Sequence, residues 1–75
     1  MATTTLDVQG LKCPLPVLKA KKAIAALQAG DTLEVLATDP SAVADFQAFS
    51  GATGHPLVEW RQEGEVYRFL LRKAG

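Results

Sequence analysis

Cys13 is the only cysteine of the chain and lies in the run Gly10-Leu11-Lys12-Cys13-Pro14-Leu15-Pro16, between a lysine and two alternating prolines. Pro14 has no N–H and a fixed φ, which suits the first position of a helix. A proline also biases the residue before it away from helical φ/ψ, so Cys13 is expected as the N-cap. Pro16 lacks a donor too, which leaves the N–H groups of Leu15 and Val17 to face the sulfur. The positive end of the helix macrodipole at that point favours thiolate. Lys12, Lys19, Lys21 and Lys22 are half of the 8 basic residues, and no acid falls between Asp7 and Asp31. This local positive charge is expected to lower the thiol pKa and to attract an acidic partner or an anionic substrate. The same lysines also suit the solvated outer face of a helix, and the two roles are compatible.

The chemistry open to a lone thiol is narrow. A dithiol–disulfide cycle within one chain needs a second cysteine, and no Cys/His cluster has metal-ligand spacing. A Cys–His arrangement would need His55 close to Cys13 and a binding cleft, which a chain this small cannot readily build. His55 reads more simply as a turn residue before Pro56. What remains is to carry a group, to form a mixed disulfide or to sense an oxidant. A carried sulfur, held as a persulfide, fits best in physical terms: its outer sulfur is anionic at neutral pH, and free N–H groups, helix dipole and lysines would stabilise it. The competing reading of a lone cysteine is a small buried hydrophobe. The cap position and the proline framing weigh against it.

Positioning that residue requires a scaffold. Thr4 to Val8 reads as a short strand ending at Gln9-Gly10. A helix follows from Pro14 to about Gln28, with Gly30 as C′ residue. Val17, Ala20, Ile24 and Leu27 form its buried seam, while Lys19 and Lys22, and also Leu15 and Leu18, point away from it. Thr32 to Ala37 is a second strand. Asp39-Pro40 then repeats the cap-plus-proline pattern and opens a second helix to about Ser50, with Ala42, Val43, Phe46 and Phe49 on its apolar face. Gly51 to Pro56 is a loop of breakers. Leu57 to Gln62 and Val66 to Arg72 form a hairpin around Glu63-Gly64-Glu65, and the Lys73-Ala74-Gly75 tail is expected to fray.

The order β-α-β-α-β-β implies a right-handed crossover that makes the first two strands parallel. The fold class is α/β in the wide sense, an α+β two-layer sandwich with both helices on one face of the sheet. Leu36, Trp60 and Leu70 would then reach the uncovered face and form an apolar patch. Asp7 either orients the loop before Cys13 or ends the strand, and Arg68 and Arg72 alternate on one solvated strand face.

Composition agrees with one domain over residues 1–75. With 48% apolar and 21% charged residues the chain suits a folded globule rather than disorder. At 75 residues it buries only about 60% of its unfolded surface, so a thin core and a stability near ~5 kcal/mol are expected. The opening Met-Ala-Thr-Thr-Thr has neither a basic segment nor an apolar run, so no signal peptide is expected, and a cytoplasmic setting would keep the thiol reduced. A formal net charge of zero does not advertise nucleic-acid binding.

The run Leu6-Asp7, Gly10 to Pro16, then Lys21-Lys22-Ala23-Ile24, resembles the signature of the TusA/SirA-like sulfurtransferase family. The resemblance continues through Gly30-Asp31, Asp39-Pro40, Gly54-His55, Tyr67-Arg68-Phe69 and Arg72-Lys73, and so covers nearly the whole chain. It implies a two-layer sandwich with a mixed four-stranded sheet. It also implies a cytoplasmic sulfur carrier that needs no cofactor beyond a transient cysteine persulfide. Sulfane sulfur would come from a cysteine desulfurase or rhodanese-like donor and pass to an acceptor protein in tRNA thiolation, molybdenum-cofactor synthesis or sulfur oxidation. The persulfide cysteine of the family maps onto Cys13, with Asp7, Gly10, Lys12, Pro14, Pro16 and Lys21 as supporting motif residues. Ser50 stands where some members carry a second cysteine, so no two-thiol mechanism is expected. Leu15 is apolar where some carry an acid, which makes Leu15 and Leu18, ringed by Lys19 and Lys22, a candidate docking spot; alternatively Leu18 only widens the core face. A non-catalytic module binding through the lysine face is the second reading, and a thiol redox sensor, lacking a resolving cysteine, the third.

Overall fold

The computed structural model describes residues 2–74, so Met1 and Gly75, the ends of the expected domain, lie outside it. Its elements are β1 (Thr3–Asp7), α1 (Leu15–Ala25), β2 (Thr32–Ala37), α2 (Ala42–Thr53), β3 (Leu57–Glu63) and β4 (Val66–Arg72). The sheet order is β1-β2-β4-β3, with β1 parallel to β2 and the other pairs antiparallel. Register explains which side is buried. Leu33, Val35 and Ala37 of β2 lie opposite Leu71, Phe69 and Tyr67 of β4, all on one face. Ala20 and Ile24 of α1 and Ala42, Phe46 and Phe49 of α2 close over that face to form a single core. The result is the expected two-layer α+β sandwich with both helices on one side.

Phe46 is fully buried, its ring 4.6 Å from Phe69 and 6.4 Å from Phe49, the latter edge-on. Trp60 does not reach the uncovered face as expected. It lies opposite Phe69 in the register and stacks on it at 6.3 Å, because the β3–β4 pairing places it on the helix side. Leu36 and Leu70 do lie on the uncovered face, alternating with Arg68 and Glu34 and half-buried rather than forming an open apolar patch. Arg68 is not simply solvated: it bridges Glu34 at 3.5 Å and Glu63 at 3.6 Å, while Thr5 donates to Glu34.

Three boundaries differ from the sequence reading, each for a local reason. The first helix stops at Ala25, with Leu27 N–H turning back to Ile24, because the Asp31 carboxylate takes the Gln28 N–H and draws the chain toward Gly30 at φ +90°. The second helix runs through Gly51 to Thr53 and ends at Gly54 in the left-handed conformation, the position glycine tolerates best. The tail does not fray before Ala74: Lys73 N–H donates to the Asp31 carbonyl at 2.8 Å, and Ala74 N–H to His55 Nδ1 at 2.9 Å. His55 is thus a clamp on the C-terminal segment as well as a turn residue. Because the core is thin and Phe46 is its centre, Phe46→Ala should cost about 3–5 kcal/mol. That is most of the stability a domain of this size holds, so urea melts should show a largely unfolded variant, with Phe46→Leu clearly less damaged.

Candidate functional site

Parallel pairing of β1 and β2 sends the loops after both strands out at the same end of the sheet. The first loop carries Cys13 and the second carries Thr38, Asp39 and Ser41, and the two are tied together. Asp7 Oδ1 accepts the Gln9 N–H at 3.0 Å and shapes the turn into Gly10, which sits at φ +83°. Asp7 therefore both ends the strand and orients the loop. Gly10 N–H donates to Thr38 Oγ1 at 2.8 Å, and Cys13 N–H to Asp39 Oδ2 at 2.7 Å. The other oxygen of Asp39 accepts the Ser41 N–H at 3.1 Å, and its carbonyl accepts the Ala42 N–H at 3.0 Å. The N-cap of α2 is Ser41 and not the expected Asp39, whose carboxylate ties the turn before the helix to the thiol loop.

The helix start near Cys13 is not the one expected. Pro14 is the N-cap of α1, with Leu15 and Pro16 as its first two residues and a cis peptide between Cys13 and Pro14. The Leu15 N–H does not face the sulfur; it donates to the Lys12 carbonyl at 2.9 Å. Cys13 thus lies one residue outside the cap, beyond the first turn where the macrodipole is strongest. Pro16 is buried under the site, so its role is packing.

Electrostatics also run opposite to expectation. The Cys13 thiol is exposed, yet its pKa is pushed up: the Asp45 carboxylate on the same groove wall favours the protonated sulfur, partial desolvation adds to this, and the charges of Asp45 and Asp39 oppose thiolate. The Ser41 hydroxyl pulls the other way. Asp39 is held below the usual carboxylate range by the Cys13 and Ser41 N–H groups, with the Ser41 hydroxyl and the charge of Lys12 adding to them. The one lysine beside the cysteine therefore acts on Asp39. Lys19 and Lys22 stand elsewhere, along a second groove with Leu6, Ala23 and Ala26. Lys21 is exposed eight residues down the chain, about 12 Å of helix rise from the thiol.

Cys13 opens onto a shallow groove of about 320 Å³ between the helices, lined by Pro14, Val17, Asp45, Ala48 and Phe49. Leu15 and Leu18 are 44% and 52% exposed, as their outward placement predicts. Ser41 and Asp45 were not singled out in the sequence. The signal was present, since a parallel first pair of strands brings the start of the second helix to the end of the sheet where Cys13 lies. Among the described residues no cluster of His, Cys, Asp or Glu could hold a metal ion, and no helix is long and apolar enough to cross a membrane.

The lowered pKa values of Asp39 and Asp31 set a direction in pH. Each carboxylate contributes stability that is fully present above its unfolded value and lost as pH falls through its lower folded value. Melting temperature should therefore drop on acidification below about pH 4. Asp39→Asn should show a shallower drop in thermal melts across that range.

Comparison with known proteins agrees with the geometry. The family model for sulfurtransferase TusA matches residues 4–73. The sulfur carrier protein TusA of Allochromatium vinosum is 49% identical over 69 residues, covering 92% of this chain and 91% of its own. A putative sulfur carrier protein of Neisseria meningitidis serogroup B is 51% identical over 72 residues, covering 96% and 97%. The crystal structure of a SirA-like protein from Desulfitobacterium hafniense superposes with a TM-score of 0.81 at 28% identity over the whole of both chains. With the same fold and a match that takes in both the thiol loop and the Asp39 loop, this chain belongs to the TusA family of sulfur carriers.

Proposed function

We propose that the chain is a sulfurtransferase that carries sulfane sulfur as a persulfide on Cys13, receiving it from a cysteine desulfurase or rhodanese-like donor and passing it to an acceptor protein. The observation that carries this reading is the exposure of a lone thiol at the mouth of a groove open to a partner. A fixed loop presents the sulfur, and an open surface lets two different proteins reach it in turn. No resident cofactor enters the chemistry. Routes in tRNA thiolation, molybdenum-cofactor synthesis or sulfur oxidation all use such a carrier, in a cytoplasmic setting that keeps the thiol reduced.

Leu15 and Leu18, both exposed on α1, supply an apolar docking spot, and the exposed Lys19 and Lys22 continue it along the helix to the second groove. Incubation with a persulfide donor should add the mass of one sulfur atom, removable by reductant and absent in Cys13→Ser; no gain with any donor would rule the carrier reading out. Leu15→Glu should slow transfer from the cognate donor protein, and an unchanged rate would remove Leu15 from the docking surface. If the chain were instead a binding module, salt-sensitive binding through the lysine face would survive Cys13→Ser unchanged.

A further inference from the structure

The groups facing the Cys13 sulfur come from two elements. Asp45 of α2 shares the groove wall with it. From the loop between β2 and α2, Asp39 bonds the Cys13 N–H, and the Ser41 hydroxyl stands on the other side of the balance. Lys12, the neighbour in sequence, has its charge set against Asp39. The rest of the groove wall is apolar: Pro14, Val17, Ala48, Phe49 and Ala52. A carboxylate at such a wall favours a protonated sulfur and repels an anionic one.

We infer, on the carrier reading above, that Asp45 is a positioning residue for sulfur release: its carboxylate, on the groove wall that Cys13 shares, favours the neutral empty carrier and disfavours the anionic loaded form. In hand-off, the acceptor thiol attacks the outer sulfur of Cys13–S–S⁻. The new sulfur–sulfur bond forms on the acceptor as the old one breaks, and the electron pair returns to the Cys13 sulfur. The acceptor's proton ends on that sulfur, so Cys13–S–S⁻ plus R–SH gives Cys13–SH plus R–S–S⁻. Atoms and charge balance, and no oxidant or reductant is consumed. The Asp45 charge opposes the anionic carrier and leaves the neutral one unpenalised, so it tilts the exchange toward release. Loading is the reverse reaction, and Asp45 resists it equally, which leaves net loading to a donor of high sulfur-transfer potential.

The test uses the full chain, glutathione persulfide with glutathione as the exchange couple, and intact mass to read the loaded fraction. Asp45→Asn keeps the shape and removes the charge. It should raise the loaded fraction severalfold at a fixed ratio of the couple, and shift the pH profile of Cys13 alkylation to lower pH. Asp45→Glu, which keeps the charge, should leave both readings near wild type, a rescue that a merely structural role for Asp45 would not give. Wild-type loading with an unchanged loaded fraction in Asp45→Asn overturns the inference and leaves the carrier reading intact. A wild-type chain that takes up no sulfur overturns both.

Discussion

The carboxylate of Asp39 accepts the Cys13 N–H at 2.7 Å and the Ser41 N–H at 3.1 Å, and the placement of the thiol depends on that shared acceptor. A loop ahead of two prolines is short of donors to fix it in place. Asp39 draws on the N–H that Cys13 itself provides and, through the same side chain, on the start of the neighbouring helix. Charge-assisted bonds of this kind are stronger than neutral ones. An anion is therefore the effective anchor for this loop. The consequence is that the anchor sits where a reactive thiolate would want a cation. Anchoring and activation make opposite demands on one position, and the structure satisfies anchoring.

The division of the molecule into two faces follows from the same economy of size. One side of the sheet carries the whole core, and a domain this small has no second apolar layer to cover the other. An antiparallel pair can face water on one side. Here that side is bound by Thr5, Glu34, Arg68, Glu63 and Arg61 in a chain of polar contacts. Exposed pairs of this kind contribute about 0–1 kcal/mol each. Their larger effect is to shield Leu36 and Leu70, whereas Leu15 and Leu18 of α1 stay exposed.

Much of this was legible in the sequence where local pattern dominates. Thr32–Ala37 and Val66–Arg72 are strands as read, because alternation with β-branched or aromatic residues has few competing solutions. Phe46 and Phe49 fall in the core because their i, i+3 spacing sets both on one face of α2. What escaped was set across the chain. The cap moved from Cys13 to Pro14 through a turn closed by Lys12, and the Asp31 carboxylate shortened the first helix. Trp60 depended on strand register, which a hairpin's turn and bulge decide rather than its composition. Asp45 and Ser41 became neighbours of Cys13 through parallel pairing. That pairing follows from the order of elements, but the residues it delivers to the sulfur lie far from it in sequence. The lysines mislead because charges close in sequence to Cys13 lie along a different groove.

A raised thiol pKa looks like a handicap for a nucleophile, yet it suits a carrier. Thiolate is the form that oxidants and stray electrophiles attack, and a lone cysteine has no resolving partner to rescue it from sulfenic acid. An exposed sulfur kept protonated is protected while it waits. On the proposed carrier function, a partner that brings cations against Asp39 and Asp45 offsets the two charges that oppose thiolate. The two carboxylates beside Cys13 therefore bias it toward the protonated form, and a surface of complementary charge relieves that bias.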